Sequence, residues 1–364
     1  MKVDLVLGTR PEVIKLAPVY HKLKSLNSVT VSITLTGQHP DLINDFLTWF
    51  GITPNRNLKV SENSSSIFDI CSKTFQEYAK FLVDQEIDGV IIQGDTSSGL
   101  FAGLAAFYCK VPIFHVEAGL RSHVSSSPFP EEMNRRIISR MANLHFCPTN
   151  LNKQNLLDEG IDINSILVTG NTVVDSLKWS INKMDKANFK SEIQTNSTFG
   201  LVTLHRRESW DTHIDQIILG LKDSAVNNPE FQFLFVMHAN PSLQLLISNN
   251  LSNLTNIKLL QPVNYQTMLH LIENSKFVLT DSGGIQEEAV SLGKIVAVAR
   301  DESDRPEGIL AGRAILVGRD RTRINEVVNS LILGDDYLAE MNSVYGTGNS
   351  SQLISNEIVR FLEN

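Results

Sequence analysis

Three carboxylates in the first half of the sequence lie where they could exchange protons with a substrate. Asp95 and Glu117 come just after short apolar runs that predict buried strands, and Glu131 opens a predicted helix. A single acidic residue at such a position usually caps a helix or forms a salt bridge. Three in separate loops favour acid–base chemistry, in which one group removes a proton from carbon and another returns one.

The helix that begins near Glu131 also carries Glu132 and Arg135. These two residues are three positions apart, which places them on the same side of a helix. Their spacing predicts an ordinary ion pair on the helix surface.

A second stretch, in the other half of the sequence, could hold an anion. Ser282-Gly283-Gly284 joins a predicted strand, Phe277 to Thr280, to a predicted helix, Ile285 to Leu292. Glycines that open a helix let backbone N–H groups and the helix dipole meet a phosphate. Two glycines can equally serve a tight turn. The positive charges of His205-Arg206-Arg207 and Arg305-Pro306-Glu307 favour phosphate.

The elements that position these groups are strands alternating with helices. This alternation predicts an α/β fold with a parallel sheet wound on both faces. Ligands of such sheets bind at the carboxyl ends of the strands. Because Arg10, Gln38, Asp95 and Glu117 each follow a predicted strand, we expect them to converge on one crevice.

The alternation restarts after the polar stretch 182–197, which predicts a second sheet between Gly200 and Val317. The expected domains are residues 1–170 and 171–345, with a C-terminal helix in 346–364 packing back on the first domain. Strand-end loops of two such sheets would enclose a cleft.

Composition narrows the possible partners. The chain has 364 residues, 42% of them hydrophobic and 20% charged, which is typical of globular domains. Its net charge of −8 argues against nucleic acid as a partner. No apolar run approaches the ~18 residues of a membrane span, so we expect a cytoplasmic protein. Three widely spaced cysteines predict neither a disulfide framework nor a zinc site.

Several well-known motifs are absent from the sequence. It contains no GxxxxGK[ST] loop, no GxGxxG fingerprint, no Asp-rich metal loop and no GxSxG elbow. ATP hydrolysis, NAD-linked hydride transfer and serine hydrolysis therefore lack their usual signatures, and we predict no cofactor and no metal.

The motifs that are present resemble those of the non-hydrolysing UDP-N-acetylglucosamine 2-epimerases. They occur in order along almost the whole chain: Gly8-Thr9-Arg10-Pro11-Glu12 with Lys15, Gln93-Gly94-Asp95-Thr96, His115 to Arg121, Pro128 to Arg135, Gly170-Asn171-Thr172, His205 to Ser209, Asp281 to Glu288, and Arg305-Pro306-Glu307.

The resemblance implies two Rossmann-like domains of GT-B type with the active site in the cleft between them. It implies interconversion of UDP-GlcNAc and UDP-ManNAc at C2 without NAD or metal. In that family UDP is eliminated to give 2-acetamidoglucal and is then added back. The resemblance also implies a homodimer that supplies bacterial surface polysaccharide synthesis.

The resemblance assigns roles by position. Asp95, Glu117 and Glu131 become the acid–base set, with Arg135 ordering Glu131 at the substrate. His205 joins the catalytic residues as a group that contacts UDP. The remaining substrate-binding positions are Arg10, Lys15, Met268, Ser282, Gly283, Gly284, Glu288 and Arg305.

The sequence departs from the family pattern in three places. Met268 stands where an aromatic residue often stacks on uracil, which predicts weaker stacking. Glu302-Ser303-Asp304 replaces the usual Thr-Thr-Glu and shortens one acidic side chain near the diphosphate. Asp41 replaces a glutamine, three residues after the one matching Gln38, through which many members bind an activating UDP-GlcNAc. This last departure argues against allosteric activation.

Four alternatives remain open from the sequence. The substrate could be a related UDP-2-acetamido sugar, 6-deoxy or diacetamido-uronic. The enzyme could be a hydrolysing 2-epimerase that releases ManNAc, although the motif around Glu117 argues against it. A GT-B glycosyltransferase and a non-enzymatic UDP-sugar sensor would share the architecture.

Overall fold

The computed structural model describes residues 1–37, 40–62, 66–186, 193, 197–204, 214–334 and 343–364, without the side chains of 40–42, 185–186 and 343. These residues form two compact units. Unit 1 comprises Met1–Trp179 with Tyr345–Asn364, and unit 2 comprises Ser180–Val344. The boundary expected after residue 170 lies just before a helix, Thr172–Lys186, whereas the units divide inside that helix.

Unit 1 contains a seven-stranded sheet among its described residues, and every strand pair in it is parallel. The strand order is β3-β2-β1-β4-β5-β6-β7. The strands are β1 Lys2–Leu7, β2 Thr30–Leu35, β3 Arg56–Asn57, β4 Gly89–Gln93, β5 Ile113–Val116, β6 Leu144–Cys147 and β7 Ile166–Val168.

The helices of unit 1 pack in two groups. One group is α3, α4 and α5, and the other joins α1 to α2 and to the C-terminal helix. Their bounds are α1 Arg10–Lys24, α2 Pro40–Phe50, α3 Ile67–Asp84, α4 Ser97–Tyr108, α5 Glu131–Met141, α6 Asn150–Asp158 and α7 Thr172–Lys186, which begins in this unit.

The central strands of unit 1 are buried throughout because helices cover both of their faces, and they are apolar apart from Gln93, His115 and His145. All five residues of β4 are buried, and so are all four of β5 and of β6. A parallel sheet covered on both sides has this composition. The sheet is therefore a rigid base from which loops at its carboxyl edge project.

Unit 2 contains a six-stranded parallel sheet among its described residues, in the order β10-β9-β8-β11-β12-β13. Its strands are β8 Phe199–Thr203, β9 Gln232–Val236, β10 Ile257–Leu260, β11 Phe277–Thr280, β12 Ile295–Val298 and β13 Ala314–Leu316. Its helices are α8 Ile214–Asn227, α9 Pro241–Leu251, α10 Tyr265–Asn274, α11 Gly283–Ser291, α12 Pro306–Leu310 and α13 Arg321–Leu333.

The C-terminal helix α14, Ser350–Glu363, is part of unit 1. Asp175 in α7 accepts hydrogen bonds from the backbone N–H groups of Ser350 and Ser351 at 3.2 and 2.9 Å, which ties down the first turn of α14. At the other end, the rings of Phe361 and Phe114 meet edge to face at 5.4 Å. The described residues include no helix long and apolar enough to cross a membrane.

Candidate functional site

In each sheet the strand order reverses at one point, where the loops after the two neighbouring strands lead to opposite faces of the sheet and leave a crevice between them. In unit 1 the change lies between β1 and β4, and in unit 2 between β8 and β11. Ligands of open α/β sheets bind beside such a switch point, outside the carboxyl ends of the strands. The loops after β1, β4 and β5 and the turn after β11 are therefore the candidate positions.

Glu12 ties the loops after β1 and β4 together. One of its carboxylate oxygens accepts from the backbone N–H groups of Gly8 and Thr9 at 2.7 and 2.6 Å, and the other accepts from the Thr96 hydroxyl at 2.7 Å. Burial raises the pKa of Glu12, although these hydrogen bonds counteract the effect. Arg10 begins α1 in the same turn and is exposed.

Asp95, directly after β4, is held by helix α5. Two nitrogens of Arg135, Nε and Nη2, donate to one carboxylate oxygen of Asp95 at 2.8 and 2.6 Å. Asn134 donates to the backbone carbonyl of Asp95 at 2.8 Å. The Arg135 side chain is 5% exposed and that of Asp95 is 25% exposed. The buried guanidinium therefore holds a carboxylate that remains accessible from outside unit 1.

Glu117, directly after β5, is held by two buried donors. Lys15 from α1 donates to one of its carboxylate oxygens, and Gln93 at the end of β4 donates to the other. Glu117 itself has a positive φ of 65°. A non-glycine residue in this left-handed region costs of order 1–3 kcal/mol, and residues strained in this way occur mainly at functional sites.

The Asp95 and Glu117 loops lie side by side. A Cβ added to Gly94 would be 3.4 Å from a carboxylate oxygen of Glu117. Glu131 begins α5, one helical turn before the Arg135 that binds Asp95, and residues four apart share a helix face. Asp95 and Glu117 therefore adjoin at the carboxyl edge of the unit 1 sheet, and the helix that carries Glu131 contacts Asp95.

The prediction that Glu132 and Arg135 form a surface pair is wrong. Glu132 is fully buried and accepts from the Ser122 backbone N–H at 2.9 Å, from Arg135 at 3.4 Å and from Arg136 at 3.2 Å. Their spacing correctly puts both side chains on one side of α5, but that side faces the interior of unit 1. Arg135 thus lies between Glu132 and Asp95.

In unit 2 the turn after β11 has the form expected of an anion cradle. Ser282 precedes the first turn of α11 and, within the described residues, makes no side-chain capping hydrogen bond to that turn. Gly284 is exposed, and no described atom lies within 4 Å of the position that a Cβ would take. The helix therefore presents backbone N–H groups to open space, where an anion is stabilised by the helix dipole.

Arg305 is positioned close to this turn by two buried carboxylates. Glu287 of α11 accepts from its Nε, and Asp304 lies 2.9 Å from its Nη1. Asp304 also accepts from Arg300 at 2.8 Å. The shorter side chain of Asp304, noted as a departure from the family pattern, therefore still reaches both arginines.

Glu288, which is buried, lies beside Tyr265 of α10. Burial raises the pKa of Tyr265 well above its ordinary value, and the Glu288 carboxylate raises it further. Met268, on the same helix, is half-buried.

Some predicted positions cannot be placed. His205 and Gln38 lie outside the described residues, and so does the side chain of Asp41. The roles predicted for them stay predictions. The described residues contain no group of three or more His, Cys, Asp or Glu side chains arranged to hold a metal ion.

Sequence reasoning missed several residues that hold the predicted ones or their loops in place: Gln93, His115, Asn134 and Glu287. All four stand in the family motifs, and this position was the signal that could have identified them. Lys15 was expected to contact UDP, but its ammonium donates to Glu117. Arg135 was expected to order Glu131, but its guanidinium donates to Asp95 and Glu132.

The sequence is similar over almost its whole length to known proteins of one family. A sequence model of the UDP-N-acetylglucosamine 2-epimerase family matches residues 21–359. The UDP-N-acetylglucosamine 2-epimerase of Neisseria meningitidis serogroup A is 39% identical over 99% of this chain and 100% of its own. The enzyme of Escherichia coli K12 is 37% identical over 97% of each chain.

Solved structures show the same relationship. The crystal structure of the N. meningitidis UDP-GlcNAc 2-epimerase bound to UDP-GlcNAc matches with a TM-score of 0.93, covering 99% of this chain and 100% of that one. A lipopolysaccharide outer core galactosyltransferase, 14% identical, matches with a TM-score of 0.57 and shares the fold alone. These similarities confirm the predicted α/β fold of GT-B type.

Proposed function

Since the chain belongs to the UDP-N-acetylglucosamine 2-epimerase family, we propose that it interconverts UDP-GlcNAc and UDP-ManNAc without hydrolysing them. The observation that carries the proposal is the pair of acids at the carboxyl edge of the unit 1 sheet. Asp95 is held by Arg135 and Glu117 by Lys15 and Gln93, and the two loops are in contact.

The proposed reaction begins with loss of UDP. The bond between C1 and the β-phosphate oxygen breaks, the proton on C2 passes to a carboxylate, and a C1–C2 double bond forms in 2-acetamidoglucal. The C2 proton is not acidic, so departure of UDP must develop positive charge at C1 before or with proton loss. Donors that stabilise the departing diphosphate therefore supply much of the catalysis.

The second half of the reaction reverses these steps on the other face. A carboxylic acid returns a proton to C2 from the opposite side while the UDP oxygen adds back to C1. Two acids are therefore needed, one for each face, and Asp95, Glu117 and Glu131 supply the candidates. Because Arg135 holds Asp95, and Lys15 and Gln93 hold Glu117, proton transfer by these two acids needs little reorganisation.

We assign UDP to the unit 2 groups. The uncapped first turn of α11, at Gly283 and Gly284, suits a phosphate, and Arg305 adds a positive charge that Glu287 and Asp304 hold in place. We assign the ribose hydroxyls to Glu288, a buried carboxylate that also interacts with Tyr265. His205 and Arg10 complete the proposed contacts.

Product analysis tests the proposal. Purified protein incubated with UDP-GlcNAc alone should yield UDP-ManNAc, with traces of UDP and 2-acetamidoglucal, and no free ManNAc. Free ManNAc as the main product would indicate the hydrolysing reaction instead. Turnover of a 6-deoxy or diacetamido-uronic UDP-sugar in preference to UDP-GlcNAc would keep the chemistry and change the substrate.

We also propose a homodimer, in which the face formed by α3, α4 and α5 pairs with a second copy. Phe68, Phe107 and Tyr108 on this face are 80%, 54% and 70% exposed. A cluster of exposed aromatic residues marks an interaction surface. Phe75, seven residues after Phe68, lies on the same face of α3 and its ring is 6.0 Å from that of Tyr108, which joins the aromatic residues of α3 and α4. A two-fold axis through this face would make the contact self-complementary.

Light scattering of the purified protein tests the dimer. The double variant Phe68→Asp, Tyr108→Asp should be monomeric, while Leu245→Asp, at a 64% exposed position of unit 2, should leave the dimer intact. A monomeric wild-type protein, or a dimeric double variant, would exclude this interface. Cytoplasmic location and a role in polysaccharide synthesis stay predictions.

A further inference from the structure

His115 is a buried histidine between the two acid-bearing loops, and the proposed chemistry does not use it. It lies in the middle of β5, fully buried, with its Nε2 2.8 Å from the carbonyl oxygen of Gly94. Gly94 directly precedes Asp95, and Glu117 follows His115 by two residues. The side chain therefore bridges the loop after β4 and the strand that leads to Glu117.

The surroundings of the ring keep it uncharged. Because Nε2 faces a carbonyl oxygen, Nε2 carries the hydrogen, and Nδ1 is buried without a hydrogen-bond partner among the described residues. Burial, helped by the nearby His145, Arg121 and Arg135, lowers the pKa of His115 to about 3, although the hydrogen bond to Gly94 acts in the opposite direction. At neutral pH the imidazole is a neutral donor rather than an acid or base.

The hydrogen bond from His115 fixes the Gly94 carbonyl, which belongs to the peptide that leads into Asp95. Gly94 adopts a positive φ of 69°, and its N–H donates to the Val116 carbonyl at 3.0 Å. Asn134 holds the Asp95 carbonyl, and Arg135 holds its carboxylate. With His115 on the Gly94 carbonyl and Asn134 on the Asp95 carbonyl, the backbone is held both before and after the Cα of Asp95.

We propose that His115 is a positioning residue for the acid–base groups: its Nε2–H locks the Gly94–Asp95 peptide and so sets Asp95 beside Glu117. The inference rests on the proposed function, because it takes Asp95 and Glu117 as the groups that move protons. His115 itself transfers no proton. An uncharged donor suits this place because a charge would perturb the carboxylates that it positions.

A matched pair of variants separates the hydrogen bond from the volume of the ring. Gln reaches about as far as the His Nε2 and offers an N–H, whereas Met has similar length and no donor. His115→Met should lower kcat by about 10²-fold, the cost of misplacing a reacting group. His115→Gln should stay within about tenfold of wild type. In both, the affinity for UDP should change less than about twofold.

The kcat values of the two variants, compared with each other and with wild type, test whether His115 acts through its hydrogen bond. Equal kcat values for His115→Gln and His115→Met, or a wild-type kcat in His115→Met, would overturn it, and so would a loss of UDP affinity that matches the loss of kcat. If His115→Met does not fold, His115→Asn replaces it, because its amide is one methylene too short to reach Gly94. Asn must then fall well below Gln.

Nitrogen NMR of the labelled wild-type protein tests the same inference without using activity. The His115 signals, identified by their loss in His115→Gln, should show one protonated and one unprotonated ring nitrogen from pH 5 to pH 8. An imidazolium at neutral pH would overturn the positioning role. If this spectrum is as expected while UDP-GlcNAc is not converted, the proposed function fails rather than the structural inference.

Discussion

Arg135 converges on Asp95 with two nitrogens, Nε at 2.8 Å and Nη2 at 2.6 Å from the same carboxylate oxygen. Behind it, the fully buried Glu132 accepts from Arg135 at 3.4 Å. The guanidinium is thus fixed from the interior of unit 1 and in turn fixes the carboxylate. A planar fork with several donors can do this, whereas a single ammonium cannot.

Replacing Arg135 by Lys tests this arrangement. Arg135→Lys keeps the positive charge but loses the second donor to Asp95, so the carboxylate gains freedom. We expect kcat to fall by about 10- to 100-fold while UDP affinity is unchanged, since a displaced reacting group costs rate rather than binding. Conversion of UDP-GlcNAc and calorimetric titration with UDP measure the two quantities.

Arg136→Lys is the matched control for that substitution. Arg136 is on the same helix and contacts Glu132 at 3.2 Å, but its side chain is 38% exposed. Its replacement should leave kcat within about twofold of wild type, as expected for a partly exposed ion pair. Equal effects of the two substitutions would remove the special role of Arg135.

The buried contact between Lys15 and Glu117 predicts a stability effect. Their side chains are 5% and 7% exposed, and removing one partner of a buried pair costs about 3–5 kcal/mol. Lys15→Met should therefore lower the thermal unfolding midpoint by about 10 °C. The double variant Lys15→Met, Glu117→Gln should recover part of this loss, since it leaves no unpaired charge. A double variant less stable than Lys15→Met contradicts the account.

A substitution at Gly284 should weaken UDP binding without lowering the stability of the fold. A Cβ at this position would meet no described atom within 4 Å, and Ala is a better helix former than Gly by about 1 kcal/mol. Gly284→Ala should therefore fold as stably as wild type or more so. Its methyl group should nevertheless obstruct a phosphate at the helix start and weaken UDP binding by about tenfold or more. Undiminished UDP affinity would move the phosphate elsewhere.

His115 predicts a pH dependence of stability. Its pKa is about 3 in the folded protein and near 6.5 when unfolded, so between these values the unfolded chain binds more protons. Its contribution is therefore present above pH 6.5 and is lost as the pH falls towards 3. Acidification from pH 7 to 4.5 should cost wild type roughly 3 kcal/mol more than His115→Gln.

Urea unfolding of both proteins at pH 7 and at pH 4.5 measures this difference. His145, whose pKa is also lowered mainly by burial, remains in both proteins and cancels in the comparison. Identical pH dependence in the two proteins would show that His115 is not kept neutral by the fold.

The sequence predicted the parts of this molecule that depend on local pattern. Alternating apolar runs and glycine-bearing turns located the strands, and residues such as Asp95 and Glu117 could be placed at strand ends because parallel strands share a carboxyl edge. The motif resemblance led to the family, which the comparisons confirm.

The sequence pattern did not show which side chains contact one another. Spacing placed Glu132 and Arg135 on one side of a helix but not on its buried side, because burial depends on how α5 packs in unit 1. Likewise, the contact between Lys15 and Glu117 joins residues 102 positions apart, and no local signal reports it. Gln93 and His115 stood in known motifs, but their hydrogen bonds appear only in three dimensions.

The most direct test of the central claim is to run the reaction in deuterium oxide. If carboxylates remove and return the C2 proton, UDP-GlcNAc recovered after incubation with the pure protein, and the UDP-ManNAc formed, should both carry deuterium at C2, and Asp95→Asn should abolish the exchange while still binding UDP. UDP-ManNAc that retains the original hydrogen at C2 would contradict the mechanism.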